Sequence, residues 1–295
     1  FTHNFDNGVP IVPKHIWEGK NPEEFANFDM SKGWPVVSGP YKMVLSVPEQ
    51  RIWDLREGWW AAKIGFHALP KVERLIFLPF VEEAKRVQIM VSNNLDSCVD
   101  LRPPNIRTVV ESNPNITTWT GRELPLGYLD WWPISLGFNN QEEPFKNSYI
   151  RWAMNHVIDR EQIVEVGWQG SSRSTVLPLP DFPSIRRYTD QIQDLLEKYP
   201  VHLYDLERSA QIMRDHGWEK NGSGMWEKDG QTVRMAINIF GGFQDIGPVI
   251  VEQLKRGGFD ASFRMLSDVY DQMSQGEARA FLNGHGGSVR DPYFT

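Results

Sequence analysis

The sequence has 295 residues, of which 40% are hydrophobic and 23% charged, and its formal net charge is −7. This length predicts about two domains of roughly 150 residues each, and the acidic balance argues against a nucleic-acid partner, which requires clustered Lys and Arg. No run approaches the ~20 apolar residues needed to cross a bilayer, and the single cysteine, Cys98, excludes an intrachain disulfide.

Short strands and helices alternate in the first half of the chain, which predicts a mixed sheet flanked by helices. Strands are predicted at 39–44, 72–78 and 97–101, with a helix over 80–91. Asn105 is expected to cap a further short helix, because its side chain accepts hydrogen bonds from free backbone N–H groups. Cys98 falls in an apolar run and is expected to be a buried small hydrophobe.

Two short helices are predicted between residues 147 and 165. Asn147 is expected to cap the first helix, whose apolar face is Ile150, Ala153, Met154 and Val157 at helical spacing. Asp159 starts the second helix, with Gln162 at the reciprocal position of a capping box. These residues are scaffold, with no chemistry of their own.

The last third of the chain predicts an α/β unit. Asp205 starts a helix and Gly217 follows it as a left-handed cap. Asp229-Gly230 predicts a hairpin turn, and apolar and polar residues alternate from Val233 to Ile239 as in a half-buried strand. A helix ended by Gly257-Gly258 and a strand over 259–266 complete a strand-helix-strand unit.

No enzyme motif is present in the sequence. The seven histidines never pair at the i, i+4 spacing of a helical zinc site, and neither a nucleophile elbow nor a phosphate loop occurs. We therefore predict no catalytic residue, no metal ligand and no cofactor. The 12 tryptophans are the compositional outlier and favour a binding surface, although glycosidases are also rich in Trp.

Several segments, in their order along the chain, resemble the family 5 extracellular solute-binding proteins. They are IVPKHIWE (11–18), SGPYK (38–42), LGFNN…PFKNSYIRWAMNHVIDREQIV (136–164), YDLE with Ala210 and Gly217-Trp218 (204–218), MWEKDG (225–230), and Asp291-Pro292. These proteins are the dipeptide and oligopeptide receptors of bacterial ABC importers, with relatives that bind oligosaccharides or nickel. Asn94, where Gly is usual, and Gly286-Gly287 depart from the pattern.

The resemblance implies an α/β fold, the two-lobed periplasmic-binding-protein architecture (type II, cluster C), here as a partial chain with mixed sheets flanked by helices. Residues 1–132 would form part of the first lobe, and residues 133–295 most of the second. The family's N-terminal segment and a signal peptide are absent, so we expect an internal fragment. The intact protein is expected to be periplasmic or extracellular, either free or anchored as a lipoprotein.

The resemblance also implies the site. Asp291 matches an Asp that takes the α-amino group of the ligand in the peptide receptors, although Asp before Pro also begins turns. Arg290 beside it could neutralise Asp291 or take a ligand carboxylate. Asn283 and His285 lie in a segment that lines the pocket in relatives.

Three tryptophans complete the set of candidate contacts: Trp131, Trp132 and Trp168. Trp131 and Trp132 stand at the expected crossing between lobes, and adjacent residues of a strand point to opposite faces, so at most one should face the ligand. Trp168 follows the second predicted helix, where a Trp also packs against a core.

The expected function is capture of a small solute outside the membrane and its delivery to ABC permease subunits, without catalysis. The peptide-type resemblance and Asp291 favour an oligopeptide ligand, whereas the Trp content favours an oligosaccharide. An extracellular carbohydrate-active enzyme is the alternative of a different class.

Overall fold

The computed structural model describes residues 12–127 and 132–284. Contacts between residues divide the chain into two compact units, and the division falls between Arg86 and Val87. The predicted lobe crossing near Trp132 is a separate division, and it stays a prediction.

The first unit contains a three-stranded antiparallel sheet in the order β1-β2-β3. From residue 12 onwards, this unit contains α1 (Lys14–Trp17), a short 3-10 helix (Met30–Lys32), β1 (Tyr41–Val47), β2 (Gln50–Leu55), α2 (Trp60–Lys63), β3 (Arg74–Phe77) and the start of α3 (Glu83–Val91). β1, β3 and α3 confirm the predicted strands at 39–44 and 72–78 and the predicted helix at 80–91, each with shifted ends.

Two predictions near residue 100 are wrong. Residues 97–101 form no strand, and Cys98 is half-buried with its thiol near the Val99 carbonyl oxygen. The next helix, α4 (Pro103–Ser112), begins before Asn105. Proline suits the first turn of a helix because its missing N–H has no partner there and its φ is already helical, so Pro103-Pro104 start α4 instead.

The centre of the second unit is a four-stranded mixed sheet in the order β4-β10-β8-β9. The strands are β4 (Ile134–Phe138), β8 (Arg234–Ile239), β9 (Asp260–Met265) and β10 (Ala280–Gly284). β10, β8 and β9 are parallel to one another, whereas β4 pairs antiparallel with β10. The mixed sheet confirms the predicted α/β class.

One face of this sheet is buried under three helices: α5 (Ser148–Asn155), α9 (Leu206–Asp215) and α10 (Gly247–Gly257). The alternating residues Met235, Ile237 and Ile239 of β8 are all at most 3% exposed and lie in this core. The other face carries Asn238, which bonds to Gln272 of α11 (Val269–Ser274). The predicted strand-helix-strand unit is therefore confirmed as β8-α10-β9.

Side chains around α5 do not all cap as predicted. α5 begins after Asn147, but the Asn147 amide donates to Glu143 Oε2 at 2.6 Å instead of accepting from the helix. Asp159 Oδ1 does accept from the Gln162 backbone N at 3.0 Å and starts α6 (Arg160–Gln162). The Asp159 backbone N donates to Gln253 Oε1 of α10, so Gln162 does not complete the capping box.

A π-helical turn, Ile163–Gly167, follows α6 directly. The described part of the second unit also contains helices α7 (Pro183–Thr189) and α8 (Gln193–Lys198). A small antiparallel sheet contains β5 (Glu219–Lys220), β6 (Trp226–Lys228) and β7 (Gln231–Thr232), and its β6–β7 turn is the predicted Asp229-Gly230. Asp205 caps α9 through a bond from Arg208 N at 2.9 Å, which confirms that helix start.

Candidate functional site

The parallel strands β8, β9 and β10 all end at one edge of the central sheet. The chain passes from β8 through α10 to β9 on one side, and then through α11 to β10 on the other side of β8. The direction of winding therefore reverses at β8. In open α/β sheets, ligands bind outside the carboxyl ends of the strands at such a reversal. We call this the carboxyl edge.

Trp132 and Gly284 meet at the carboxyl edge, and Asn283 precedes Gly284 on β10. Because β4 is antiparallel to β10, Ile134 pairs with Gly284 and Ser135 with Asn283, so the start of β4 lies where β10 ends. The Trp132 side chain covers Gly284: a Cβ on Gly284 would stand 3.2 Å from Trp132 Cβ. Trp132 is 39% exposed and Asn283 is half-buried. The structure thus places Trp132 against the end of β10, next in sequence to Asn283.

Apolar side chains are exposed where the neighbouring strands end. Phe240 follows β8 and is 47% exposed, with its ring over Gly242 and edge-on to Phe243 at 6.3 Å between ring centroids. Met265, the last residue of β9, is 55% exposed. Rigid rings with low conformational entropy are suited to apolar or sugar C–H faces.

Charged and amide groups follow the short helical turn Gly241–Phe243 at the end of β8. Arg102 Nη1 lies 3.4 Å from Asp245 Oδ1, and both side chains are about one-third exposed, at 36% and 31%. When the Gln244 side-chain amide is oriented with its oxygen towards Arg102, this oxygen accepts from Arg102 Nη1 at 2.6 Å and from Arg102 Nε at 3.2 Å. Asp245 Oδ2 is buried and has no hydrogen-bond partner within residues 12–127 and 132–284.

Trp168 follows the π-helical turn, and this turn packs beside the same loop. A Cβ on Gly167 would lie 2.6 Å from Ile246 Cγ2 and 3.4 Å from the Asp245 carbonyl oxygen. The Trp168 ring is partly buried against the core. Its assignment as a ligand contact stays a prediction.

Four predicted site residues, Trp131, His285, Arg290 and Asp291, lie outside the described residues. Within the described part, no group of three or more His, Cys, Asp and Glu side chains could hold a metal ion. None of the helices described there is long and apolar enough to cross a membrane.

Sequence reasoning missed Phe240, Gln244, Asp245 and Arg102. The first three could have been found from the sequence, because they follow the predicted strand 233–239 and ligands bind at the carboxyl ends of parallel strands. Arg102 carried no such signal, because its partner Asp245 is 143 residues away.

This chain belongs to the bacterial extracellular solute-binding proteins, family 5, because the model of the family's middle region matches residues 4–295. The fold confirms the periplasmic-binding-protein class that the sequence predicted, since the solved structures that match it include a periplasmic oligopeptide-binding protein.

Three relatives illustrate the similarity. Heme-binding protein A of Haemophilus influenzae is 26% identical over 62% of this chain and 30% of its own length. Oligopeptide-binding protein AppA of Bacillus subtilis is 23% identical over 93% of this chain and 48% of its own. The periplasmic oligopeptide-binding protein of Thermotoga maritima, solved with mannohexaose bound, is 25% identical, with a TM-score of 0.72 over 93% of this chain and 51% of that one. The chain spans from about a third to half the length of these relatives.

Proposed function

We propose that the intact protein is the substrate-binding component of an ABC importer. It captures a small solute outside the membrane, at the carboxyl edge, and delivers it to the permease subunits without making or breaking a bond. The observation that carries this proposal is the position of Trp132 against Gly284 beside Asn283, at the reversal of the central sheet. Family membership supports a binding role.

The preferred ligand of this proposal is an oligopeptide. A relative that aligns with 93% of the chain is an oligopeptide-binding protein. The site would contain Asn283, Trp132 and Trp168, together with Trp131, His285, Arg290 and Asp291, and Asp291 would take the ligand's α-amino group through a charge-assisted hydrogen bond.

An oligosaccharide is the second candidate ligand. The exposed rings of Trp132 and Phe240 are suited to stacking on sugars, and the related Thermotoga protein carries mannohexaose. The family consists of binding proteins, so we do not retain the carbohydrate-active enzyme as a proposal.

The corresponding location is periplasmic or extracellular, free or lipoprotein-anchored. The lobes would be residues 1–132, part of the first, and 133–295, most of the second.

A tryptophan-fluorescence titration of the full-length polypeptide that carries this chain tests the proposal. One arm uses a pool of di- and tripeptides, and the other uses mannohexaose and xylan-type oligosaccharides. A saturable change with peptides that is lost in Asp291→Ala supports the peptide receptor. A response to sugars alone assigns the ligand to the aromatic surface, and the absence of any saturable response contradicts the proposal.

A further inference from the structure

We propose that Gly167 is a positioning residue of the carboxyl edge, because its missing side chain lets the π-helical turn hold the loop over residues 240–246 in place. This inference rests on the proposed binding function and adds to it the element that positions one side of the site. Gly167 is itself buried, so it acts through the loop and not by contact with the ligand.

The backbone of Gly167 lies directly against the end of the 240–246 loop. A Cβ on Gly167 would stand 2.6 Å from Ile246 Cγ2, 3.3 Å from Ile246 Cα and 3.4 Å from the Asp245 carbonyl oxygen. Carbon atoms normally approach one another to about 3.5–4.0 Å, so a side chain here displaces its neighbours by about 1 Å. A new rotamer of Ile246 does not remove the conflict, because two of these three atoms belong to the backbone.

The π-helical turn is tied to α10 and has little freedom to retreat. The side chain of Gln253 on α10 is buried, and its Oε1 accepts from the Asp159 backbone N at 3.1 Å while its Nε2 donates to the Asp159 carbonyl oxygen at 3.0 Å. Nε2 also donates to Gln162 Oε1 at 2.8 Å, directly before the turn. After the turn, the Gly170 backbone N donates to the Val164 carbonyl oxygen at 3.0 Å. Buried hydrogen bonds of this kind resist displacement because the local dielectric constant is low.

The 240–246 loop is the softer side of this contact. Phe240, Gly241 and Gly242 are all exposed. Within the loop, the Phe243 backbone N donates to the Phe240 carbonyl oxygen at 2.9 Å, and the Ile246 backbone N donates to the Phe243 carbonyl oxygen at 3.2 Å. Segments with solvent-exposed backbone bonds open at a low free energy. A side chain at position 167 therefore displaces the loop and leaves the turn in place.

The position of this loop affects affinity because the loop carries the exposed ring of Phe240 to the carboxyl edge. Groups that bind a ligand have to be held within about 0.5 Å of their productive positions. A displacement of about 1 Å is therefore large enough to weaken binding.

Gly257 provides a matched control at the other end of α10. Like Gly167, it is buried and its backbone is not left-handed, and a Cβ there would stand 2.5 Å from Val157 Cγ1. α10 ends where β9 begins, at the opposite edge of the sheet. Gly257→Ala therefore introduces the same kind of overpacking away from the carboxyl edge.

The test measures affinity and local backbone opening in the full-length polypeptide. Tryptophan fluorescence is titrated with a pool of di- and tripeptides and, separately, with mannohexaose, and hydrogen–deuterium exchange is followed in residues 240–246 and 163–171. We expect Gly167→Ala to unfold cooperatively in urea, to bind the active probe roughly fivefold or more weakly, and to exchange faster in residues 240–246. Gly257→Ala should also lower the midpoint of urea unfolding but keep the wild-type affinity.

The inference is overturned if Gly167→Ala keeps the wild-type affinity, or if Gly257→Ala weakens binding as much. It is equally overturned if the added exchange appears in residues 163–171 instead of 240–246, or if Gly167→Ala no longer unfolds cooperatively. In each of these cases the wild type still binds a probe and the proposed function stands. If the wild type binds neither probe, the proposed function fails, and this inference fails with it.

Discussion

The indole of Trp226 closes the C-terminal end of α10: its Nε1 donates to the Gly257 carbonyl oxygen at 2.9 Å, and its backbone N donates to the Gly258 carbonyl oxygen at 2.7 Å. Gly258 itself is left-handed, with φ +98°. These two hydrogen bonds link the small sheet of β5, β6 and β7 to α10, which packs on the central sheet.

This arrangement predicts that Gly258→Ala is strongly destabilising. A Cβ there would lie 2.9 Å from Trp226 Nε1 and 3.1 Å from the Gly224 carbonyl oxygen. Gly276→Ala is the control, since Gly276 has φ +75° with nothing within 4 Å of its Cβ position. We expect Gly276→Ala to cost about 1 kcal/mol from backbone strain alone and Gly258→Ala about 1–3 kcal/mol more from overpacking, measured by urea unfolding. Equal losses would contradict the packing described for Trp226.

A second prediction concerns Trp132. Its ring is half-exposed at the carboxyl edge, so truncation removes a stacking surface while the buried core stays intact. We expect Trp132→Ala to weaken ligand binding by roughly tenfold, as for an aromatic contact at the centre of an interface, by calorimetry with the ligand that fluorescence identifies. Trp119, 90% exposed, provides the control variant Trp119→Ala, which should leave the affinity unchanged. Equal effects of the two variants would remove Trp132 from the site.

Asn238 joins three elements through one buried amide. Its Nδ2 donates to Gln272 Oε1 at 2.9 Å, and its Oδ1 accepts from Arg264 Nη2 at 3.0 Å. Asn238→Leu leaves both partners without this bond, and we expect a loss of about 1–3 kcal/mol in the free energy of unfolding. Asn238→Asp keeps the bond from Arg264 and should lose less. The order is measured by urea unfolding at pH 7, and an equal or reversed order would show that Arg264 contributes little.

The lowered pKa of the buried His156 imidazole predicts that the stability of the fold depends on pH. Burial is the main cause that lowers the pKa of His156 below its ordinary 6.5, although its Nδ1 lies 2.8 Å from the Leu203 carbonyl oxygen. Above pH 6.5 both the folded and unfolded states hold this imidazole neutral. Below that pH the unfolded state binds the proton first, so stability falls as pH decreases towards the folded-state pKa, by at most about 1.4 kcal/mol per pH unit.

His156→Gln is the test of this pH dependence. The difference from wild type at pH 8 measures the lost packing and hydrogen bond. The change in that difference between pH 6.5 and 5 measures the titration, and we expect the variant to have the shallower slope. Parallel slopes would show that another group causes the acid sensitivity.

Local signals predicted the second unit well. Some helix ends and turns are determined by the residue at that position, without any distant partner. Sequence reasoning therefore predicted the ends or turns at Asp205, Asp229-Gly230 and Gly258. Asn147 failed because its amide bonds to Glu143 instead of the helix, and Asn105 failed because Pro103 starts the helix earlier.

The candidate site depends on contacts between residues far apart in sequence, and such contacts could not be predicted from local sequence patterns. Trp132 was predicted from the expected lobe crossing, but its contact with Gly284 depends on the pairing of β4 with β10. The pair of Arg102 with Asp245 likewise exists only once α4 and the end of β8 come together. Strand pairing and tertiary packing, not local propensity, determine these distances.

The π-helical turn at Ile163–Gly167 has a consequence for how this segment tolerates change in length. The Trp168 backbone N donates to the Ile163 carbonyl oxygen at 3.2 Å, one residue further along than an α-helix would place the bond. Deleting one residue here would leave an ordinary α-helix and rotate the following side chain by about 100° about the helix axis. A single-codon deletion would thus move Trp168 off the core, so this segment should accept substitutions far more readily than changes in length.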